Sequence, residues 1–448
     1  MDKPMYFIHY FMKHHELITK AQEVLNNNYQ EKGFTIPCQG LYPFQWNWDS
    51  GFIAIGFAHF DMEKAKKEIK TLIDSQWSNG FIPHIIFHNE SDTYFPGPDF
   101  HRSDLSKLSN TSVPTTGMTQ PHILGFALER MYKVAENKED VLQFIKENID
   151  AIYDFSMYFY NHRDPLNEGL AYIYHNWESG TDNSPIWDDI WSTMDSPSLE
   201  FQRRDTSHVD ASQRPSKREY DHYLHIIEIA KKYNYEDAKI AEFSPFLVQD
   251  PLFNAVLISS NKSLIRLYEL IGGNEEKVTQ LKHLTAKSIH SFNTKLFDEA
   301  LGAYCHYDLR TGKLLRYVSS SSFSPLYAGI PSKEQAEKLV YTMMKKFGKD
   351  DQYLCASFDP THERFNPKQY WRGPVWINLN WLLYHGFKNY GYKDIAERIK
   401  QESIEIIEKN GFYEYFDARK EAHKDNTAGY GGNNFSWSAA LLIDLLSE

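Results

Sequence analysis

The sequence predicts an all-α fold: a closed ring of helix hairpins, with long functional loops gathered at one end and a few short β-hairpins. Three observations predict it. Roughly a dozen stretches place apolar residues at helical spacing. Loops rich in Trp, Tyr, Gly, Pro and carboxylates recur after about every second helix. No Pro/Gly/Ser linker interrupts the order, so residues 1–448 read as one domain, with loop excursions at about 78–120 and 174–216 forming a cap or flap. An α-solenoid would need a fixed repeat of about 34 to 47 residues, and none is present.

Taken in order, Phe11 to Asn27 shows the first helical pattern and runs into the Asn26-Asn27-Asn28 cluster. The loop from Thr35 to Gly51 carries Tyr42, Trp46, Trp48 and Asp49, a composition that suits a pocket wall or a buried loop pinned by its tryptophans. Asp49 is placed either to accept from a ligand hydroxyl or to cap a helix over Phe52 to His59. Asp61 to Trp77 is amphipathic, with Ala65, Ile69, Leu72, Ile73 and Trp77 on one face. A second aromatic loop follows, through His84, His88 and Tyr94 to Gln120. Pro83 and the β-branched pair Ile85-Ile86 argue against a helix that would set His84 and His88 on one face, so no metal site is expected there. The Ser-rich, charged segment Asp99 to Pro114 is a candidate mobile flap.

Helices are expected at Ile123 to Val134, Lys138 to Tyr160 and Glu219 to Lys232. Leu257, Leu264, Leu267, Tyr268 and Ile271 share a further helical face that stops at Gly272-Gly273, and Asn274 starts the next helix, to about Phe297. A hairpin is expected within Gly302 to Val318. Helices then follow at Ser332 to Phe347, from Val375 to Phe387, at Tyr392 to Lys409 and at Asn433 to Leu446, with an extended segment over Gly411 to Asp417.

Composition narrows the function classes. With 48 Lys and Arg against 60 Asp and Glu, the net charge of −12 disfavours nucleic acid or an anionic membrane as partner, since both demand basic patches. Three scattered cysteines, Cys38, Cys305 and Cys355, form neither a disulfide framework nor a zinc cluster, which points to a reducing compartment. The apolar run Met5 to Met12 is broken by His9 and lacks a small-residue cleavage site, so a cytoplasmic protein is expected. Aromatic residues make up 15% of the chain, which beyond filling the core suits stacking on sugar rings.

The loop Glu178-Ser179-Gly180-Thr181-Asp182-Asn183-Ser184-Pro185 presents a carboxylate, Asp182, between a glycine and a proline. A second, Glu414, lies in Gly411-Phe412-Tyr413-Glu414-Tyr415-Phe416-Asp417. Strand alternation puts it on one face with Phe412 and Phe416, either held among rings or on an edge facing solvent. Hydrolysis of a glycosidic bond needs such a pair, one carboxyl protonated and one ionised. Arg214 carries the guanidinium fork suited to a ligand carboxylate, or else pairs structurally with Asp205, Asp210 or Glu219.

The segments ESGTDNSPIWDD, YWRGPVWINLNWLL, GFYEYFDA and GYGGNNFSWSAALLIDLL, together with QWNWDSGF, GFIPH, YFPGP and TQP, resemble glycoside hydrolase family 63. Within it, the similarity is greatest to the mannosylglycerate and glucosylglycerate hydrolases, and it runs from about Tyr42 to Leu446. The resemblance implies an (α/α)6 barrel and an inverting α-glycosidase needing no cofactor or metal, with Asp182 as general acid and Glu414 as general base. It implies that Tyr42, Trp46, Trp48 and Asp49 line the sugar subsite and that Tyr94, Gln120 and Arg214 hold a glycerate carboxylate beside Tyr370 and Trp371. His84, Gly180, Gly373, Trp376 and Trp437 complete the implied substrate-binding set. Asp188 and Asp189 are candidate contributors to the acid's field, while Arg372 is expected to serve the barrel. Thr181 stands where many relatives carry Trp, which implies a more open wall. The partner implied is a small glycoside, with further copies of the chain left open.

Overall fold

The computed structural model of the chain describes residues 3–448 except Asn426, and the side chains of the first helix from His14 onward. The side chains of the run Met5 to Met12 therefore lie outside the described residues.

Two concentric rings of helices form the body. The inner ring runs Asn47–Phe57, Leu124–Val134, Pro251–Ile271, the short 3-10 segment Ser320–Leu326, Ile377–Asn389 and Ser436–Ser447, and each packs against the next, the last against the first. Each inner member is backed by an outer helix adjacent in sequence or closing the ring: Met62–Asp74, Lys138–His162, Glu275–Ser291, Lys333–Phe347, Lys393–Asn410 and Lys3–Asn28. This is an (α/α)6 barrel. The inner helices are apolar nearly all round, as burial on both sides demands, while the outer ones keep one charged face.

Start signals hold where a side chain can accept from the first turn. Asp61, Asn137, Ser216, Asp250, Asn274 and Ser332 each cap the helix that follows, and Gly272 closes its helix in the left-handed region at φ 63°.

Four differences from the sequence expectation matter. Asp49 lies inside the first turn of Asn47–Phe57 and does not cap a helix at Phe52. Val375 precedes its helix, pairing in extended form with Ala356 and Phe416. The last helix starts at Ser436, because Gly429–Asn433 is drawn into a strand against Tyr413–Phe416. The excursion after Tyr174 carries, besides the expected helix at Lys217–Lys232, an unexpected one at Asp237–Phe243 before the chain rejoins the barrel at Pro251. The hairpin is present, with His306–Asp308 paired to Lys313–Leu315. No helix among the described residues is long and apolar enough to cross a membrane.

Candidate active site

One end of the barrel holds a cavity of about 750 Å³, its mouth included, into which five loop regions converge. Short pairings bring them together. Gln45–Trp46 pairs with Ile85–Ile86, joining the loop of Tyr42, Trp46 and Trp48 to that of His84. The bridge from Val375 to Phe416 joins the loop of Tyr370 to the strand of Glu414.

The loop of Asp182 is built before it meets anything else. Arg163 and Glu178, both fully buried, form an ion pair at 3.2 Å, and Glu178 also accepts from the backbone of Thr119 and Tyr174. Asn176 donates to the Asp182 carbonyl at 2.7 Å and the Trp187 indole to the Thr181 carbonyl at 3.1 Å. Gly180 sits at φ 72°, and a Cβ there would lie 2.5 Å from the Trp48 ring, so both the backbone turn and the close ring approach require glycine. Asp182 is left partly accessible to the cavity, with a single side-chain donor, the Tyr370 phenol at 3.2 Å. Burial, aided by the charge of Glu414, pushes its carboxyl up to about 7 against the pull of Arg214 and Tyr370.

Glu414 is held far more tightly. Its Oε1 accepts from the Tyr42 phenol at 2.8 Å and its Oε2 from the Gly432 backbone at 3.0 Å, and the Arg214 guanidinium lies 3.7 Å away. Any side chain at Gly431, which sits at φ 68°, would run into the carboxylate. Burial raises the Glu414 carboxyl above the ordinary range, with Arg214, Gly432 and Tyr42 opposing. The edge-strand reading, with Glu414 in solvent, is thereby overturned.

The two carboxylates face one cavity and are linked by two phenols. Tyr370 bonds Asp182 at 3.2 Å, Tyr42 bonds Glu414 at 2.8 Å, and the two phenol oxygens lie 3.4 Å apart. Laid end to end, these steps cap the separation of the carboxylate oxygens just under the roughly 9.5 Å limit for a pair that works through an intervening water. Tyr370 adopts φ 42°, the left-handed region, at this junction.

Twelve of the fourteen expected substrate-binding residues line the cavity: Tyr42, Trp46, Trp48, Asp49, His84, Tyr94, Gln120, Gly180, Arg214, Tyr370, Trp371 and Trp437. Gly373 and Trp376 do not. Trp376 stacks behind Trp371 at 3.5 Å, nearly parallel to it, and so supports that wall; Gly373 is packed against Asn366 and Phe365. Asp49 is buried, and burial together with the charge of Glu414 raises its carboxyl well above normal. Burial likewise drives His84 well below its normal value, leaving a neutral imidazole. His88 turns away to stack on Phe34 and bond Gln45, so the two histidines share no ligand position. Gln120 accepts from the Trp48 backbone at 3.1 Å, which leaves its amide donors for the cavity.

Arg214 satisfies both readings drawn from the sequence. Its Nε pairs with Asp205 at 3.2 Å, and the guanidinium lies over Tyr370 at 4.2 Å, yet its buried Nη1 has no hydrogen-bond partner among the described residues. An unpaired charged donor in a closed site is costly unless a ligand completes it. Asp205 is fixed in turn by both forks of Arg203.

Asp188 and Asp189 do not line the cavity; they pair with Arg372 and Arg364, and Arg372 also donates to the Asn183 carbonyl, which ties its loop to that of Asp182. Segment 99–114 does not line the cavity either. Asn110 donates to the Asp74 carbonyl, Leu108 accepts from Ser78 and His101 accepts from Tyr235, which docks the segment beside the outer helix Met62–Asp74. Sequence reasoning missed Trp177, Phe95, Tyr220, Pro215 and Asp205 as wall residues. Of these, Phe95, inside the motif YFPGP beside Tyr94, and Trp177, immediately before the motif that starts at Glu178, carried a signal.

A family model for the mannosylglycerate hydrolase MGH1-like glycoside hydrolase domain matches residues 42–438. Mannosylglycerate hydrolase of Rubrobacter radiotolerans is 34% identical over 97% of this chain and 97% of its own length. Glucosylglycerate hydrolase of Mycolicibacterium hassiacum is 32% identical, covering 91% and 92% respectively. The crystal structure of GH63 mannosylglycerate hydrolase from Thermus thermophilus in complex with Tris and D-glycerate superposes with a TM-score of 0.89 at 36% identity, over 96% of this chain and 100% of that one.

Proposed function

The chain belongs to the mannosylglycerate hydrolase MGH1-like glycoside hydrolases of family 63, and on that premise we propose that it is an inverting α-glycosidase cleaving 2-O-α-mannosylglycerate or 2-O-α-glucosylglycerate to the free hexose and glycerate. The observation that carries this reading is the asymmetric carboxyl pair. Asp182, pushed up to about 7, retains a proton near neutral pH and donates it to the glycosidic oxygen as the bond to the anomeric carbon breaks. Glu414, held by Tyr42 and Gly432, accepts a proton from the water that attacks the opposite face of that carbon. Tyr370 keeps the acid's second oxygen engaged, so the proton faces the leaving group.

Support for a carboxylated leaving group comes from Arg214. Its Nη1 is an unpaired charged donor in the cavity, and the amide of Gln120 and the phenol of Tyr94 flank the same space. A neutral α-glycoside offers that donor no charge.

The test is a hydrolysis panel of mannosylglycerate, glucosylglycerate and neutral α-disaccharides, followed by proton NMR within the first turnovers. Release of the β-anomer from the glycerate glycosides alone is the expected result. Release of the α-anomer overturns inversion, and equal turnover of neutral disaccharides overturns the substrate class.

A further inference from the structure

A second cavity, of about 800 Å³, adjoins the catalytic one and shares Tyr94 and Phe95 with it as walls. Its aromatic side is a stack: Phe95 lies on Phe201 at 5.6 Å and 11°, Phe201 on Tyr220 at 6.0 Å and 26°, and Phe100 meets Phe95 edge-on. Its wall also carries hydrogen-bonding groups left open. Arg204 and Asp92 both line the cavity, and neither has an ion-pair or side-chain hydrogen-bond partner among the described residues. Aromatic rings and unpaired hydroxyl-binding groups on one wall are the chemistry that receives a sugar ring.

The position of this cavity says which part of a substrate reaches it. The stack ends on Tyr220, which lines the catalytic cavity and donates its phenol to Asp205 at 3.4 Å, and Asp205 pairs with Arg214 at 3.2 Å. The second cavity therefore adjoins the catalytic one on the side of the guanidinium read above as holding the leaving group's carboxylate.

We propose that this cavity is an outer subsite for a hexose carried by the leaving group, so that the enzyme also cleaves glycerate glycosides whose remaining hydroxyl, on glycerate C3, bears a second sugar. The inference rests on the reading of glycerate as the leaving group. With the carboxylate taken by Arg214 and O2 in the scissile bond, O3 is the only hydroxyl left to extend. The reaction is unchanged in balance: the bond from the anomeric carbon to O2 breaks, O2 takes the proton of Asp182, and water supplies the hydroxyl of the released hexose and a proton to Glu414. The product is 3-O-hexosylglycerate.

The experiment compares kcat/KM for 2-O-α-mannosylglycerate (or its glucosyl analogue) with that for the same compound bearing a hexose on O3, using the wild type, Arg204→Ala and Asp92→Ala. Both substitutions remove solvent-accessible groups that hold nothing in the protein. Expected are efficient cleavage of the extended substrate by the wild type and a loss of about tenfold for it in Arg204→Ala, the worth of one charged hydrogen bond, with a smaller loss in Asp92→Ala and the short substrate unchanged in both. Refusal of the extended substrate by a wild type that cleaves the short one overturns the outer subsite and leaves the function standing. So do equal effects of the substitutions on the two substrates. Failure to cleave either substrate overturns the glycerate reading itself, and this inference with it.

Discussion

The two ends of the barrel bury carboxylates in opposite company. At the loop end, Asp49, Asp182 and Glu414 line one cavity around one guanidinium, Arg214, which is also shared with Asp205. At the other end Asp444, fully buried on the inner helix Ser436–Ser447, accepts from His59 at 2.7 Å, Arg130 at 2.7 Å and the Trp381 indole at 2.8 Å. Burial alone raises both kinds of group. Unmatched, it leaves Asp182 up at about 7; overcome by His59 and Arg130, it leaves Asp444 down at about 2. One end leaves its carboxyls short of countercharge, the setting in which a proton can be kept for transfer, and the other meets its carboxylate with Arg130, His59 and the Trp381 indole.

The largest effect expected at the loop end is on rate. Asp182→Asn cannot donate a proton and Glu414→Gln cannot accept one, so each should lose on the order of 10³-fold or more in kcat with the fold retained by circular dichroism. The wild-type kcat/KM should fall as pH rises through about 7, where Asp182 loses its proton, and should fall at low pH through a value above the ordinary glutamate range, where Glu414 gains one. An unchanged basic limb would remove Asp182 from the role of acid.

At the other end the effect is on stability. Asp444→Asn leaves Arg130 and His59 around an uncharged amide and should cost about 3–5 kcal/mol, read from urea unfolding, with little change in activity per folded molecule. Because the folded Asp444 titrates below its unfolded value, this stability is fully present above about pH 4 and is lost as pH falls toward 2. The variant should therefore show a shallower acid denaturation than the wild type. Equal acid sensitivity would mean that Asp444 is no more stabilised by folding than Asp182.

Smaller is the cost of disturbing the fit between the loops. Gly180→Ala forces a Cβ into the Trp48 ring at a left-handed backbone position, and should cost about 1–3 kcal/mol of stability and lower kcat/KM by displacing Asp182 from its line to the substrate. A variant with wild-type kinetics would show that the loop has slack.

How much of this was legible in the sequence differs between local and convergent features. The ring followed from apolar spacing and from loops punctuating every second helix. Asp182 and Glu414 were legible because each sits in a self-contained motif. The inner member Ser320–Leu326 was not: its serines and Pro325 carry no helical spacing, and only the packing of its neighbours makes it part of a ring. Trp376 was placed on the site by the resemblance, whose motif it shares with Trp371, and a motif cannot tell a ring that faces a cavity from the one stacked behind it. Tyr220 reaches the cavity from an excursion whose path depends on long-range docking, which no local pattern records. Arg214 was legible as a residue with two readings, and its geometry turns out to serve both.

That double service yields the subtlest test of the contrast. Asp205 holds Arg214 by its Nε and is itself clamped by Arg203, so the guanidinium is kept 3.7 Å from Glu414, without a hydrogen bond to it, and with Nη1 free. In Asp205→Asn that hold weakens, and Glu414 is the nearest remaining carboxylate. Drawn toward it, Arg214 would favour the ionised form of the base and leave the ligand's carboxylate less well met. KM for a glycerate glycoside should then rise about tenfold, the worth of one charged hydrogen bond, while the acidic limb of the pH profile moves to lower pH. Asp205→Glu, which keeps the charge, should restore both in part. A change in KM with no movement of the acidic limb would mean that Arg214 had simply become mobile, and that the loop end does not depend on Asp205 to keep its one guanidinium away from its base.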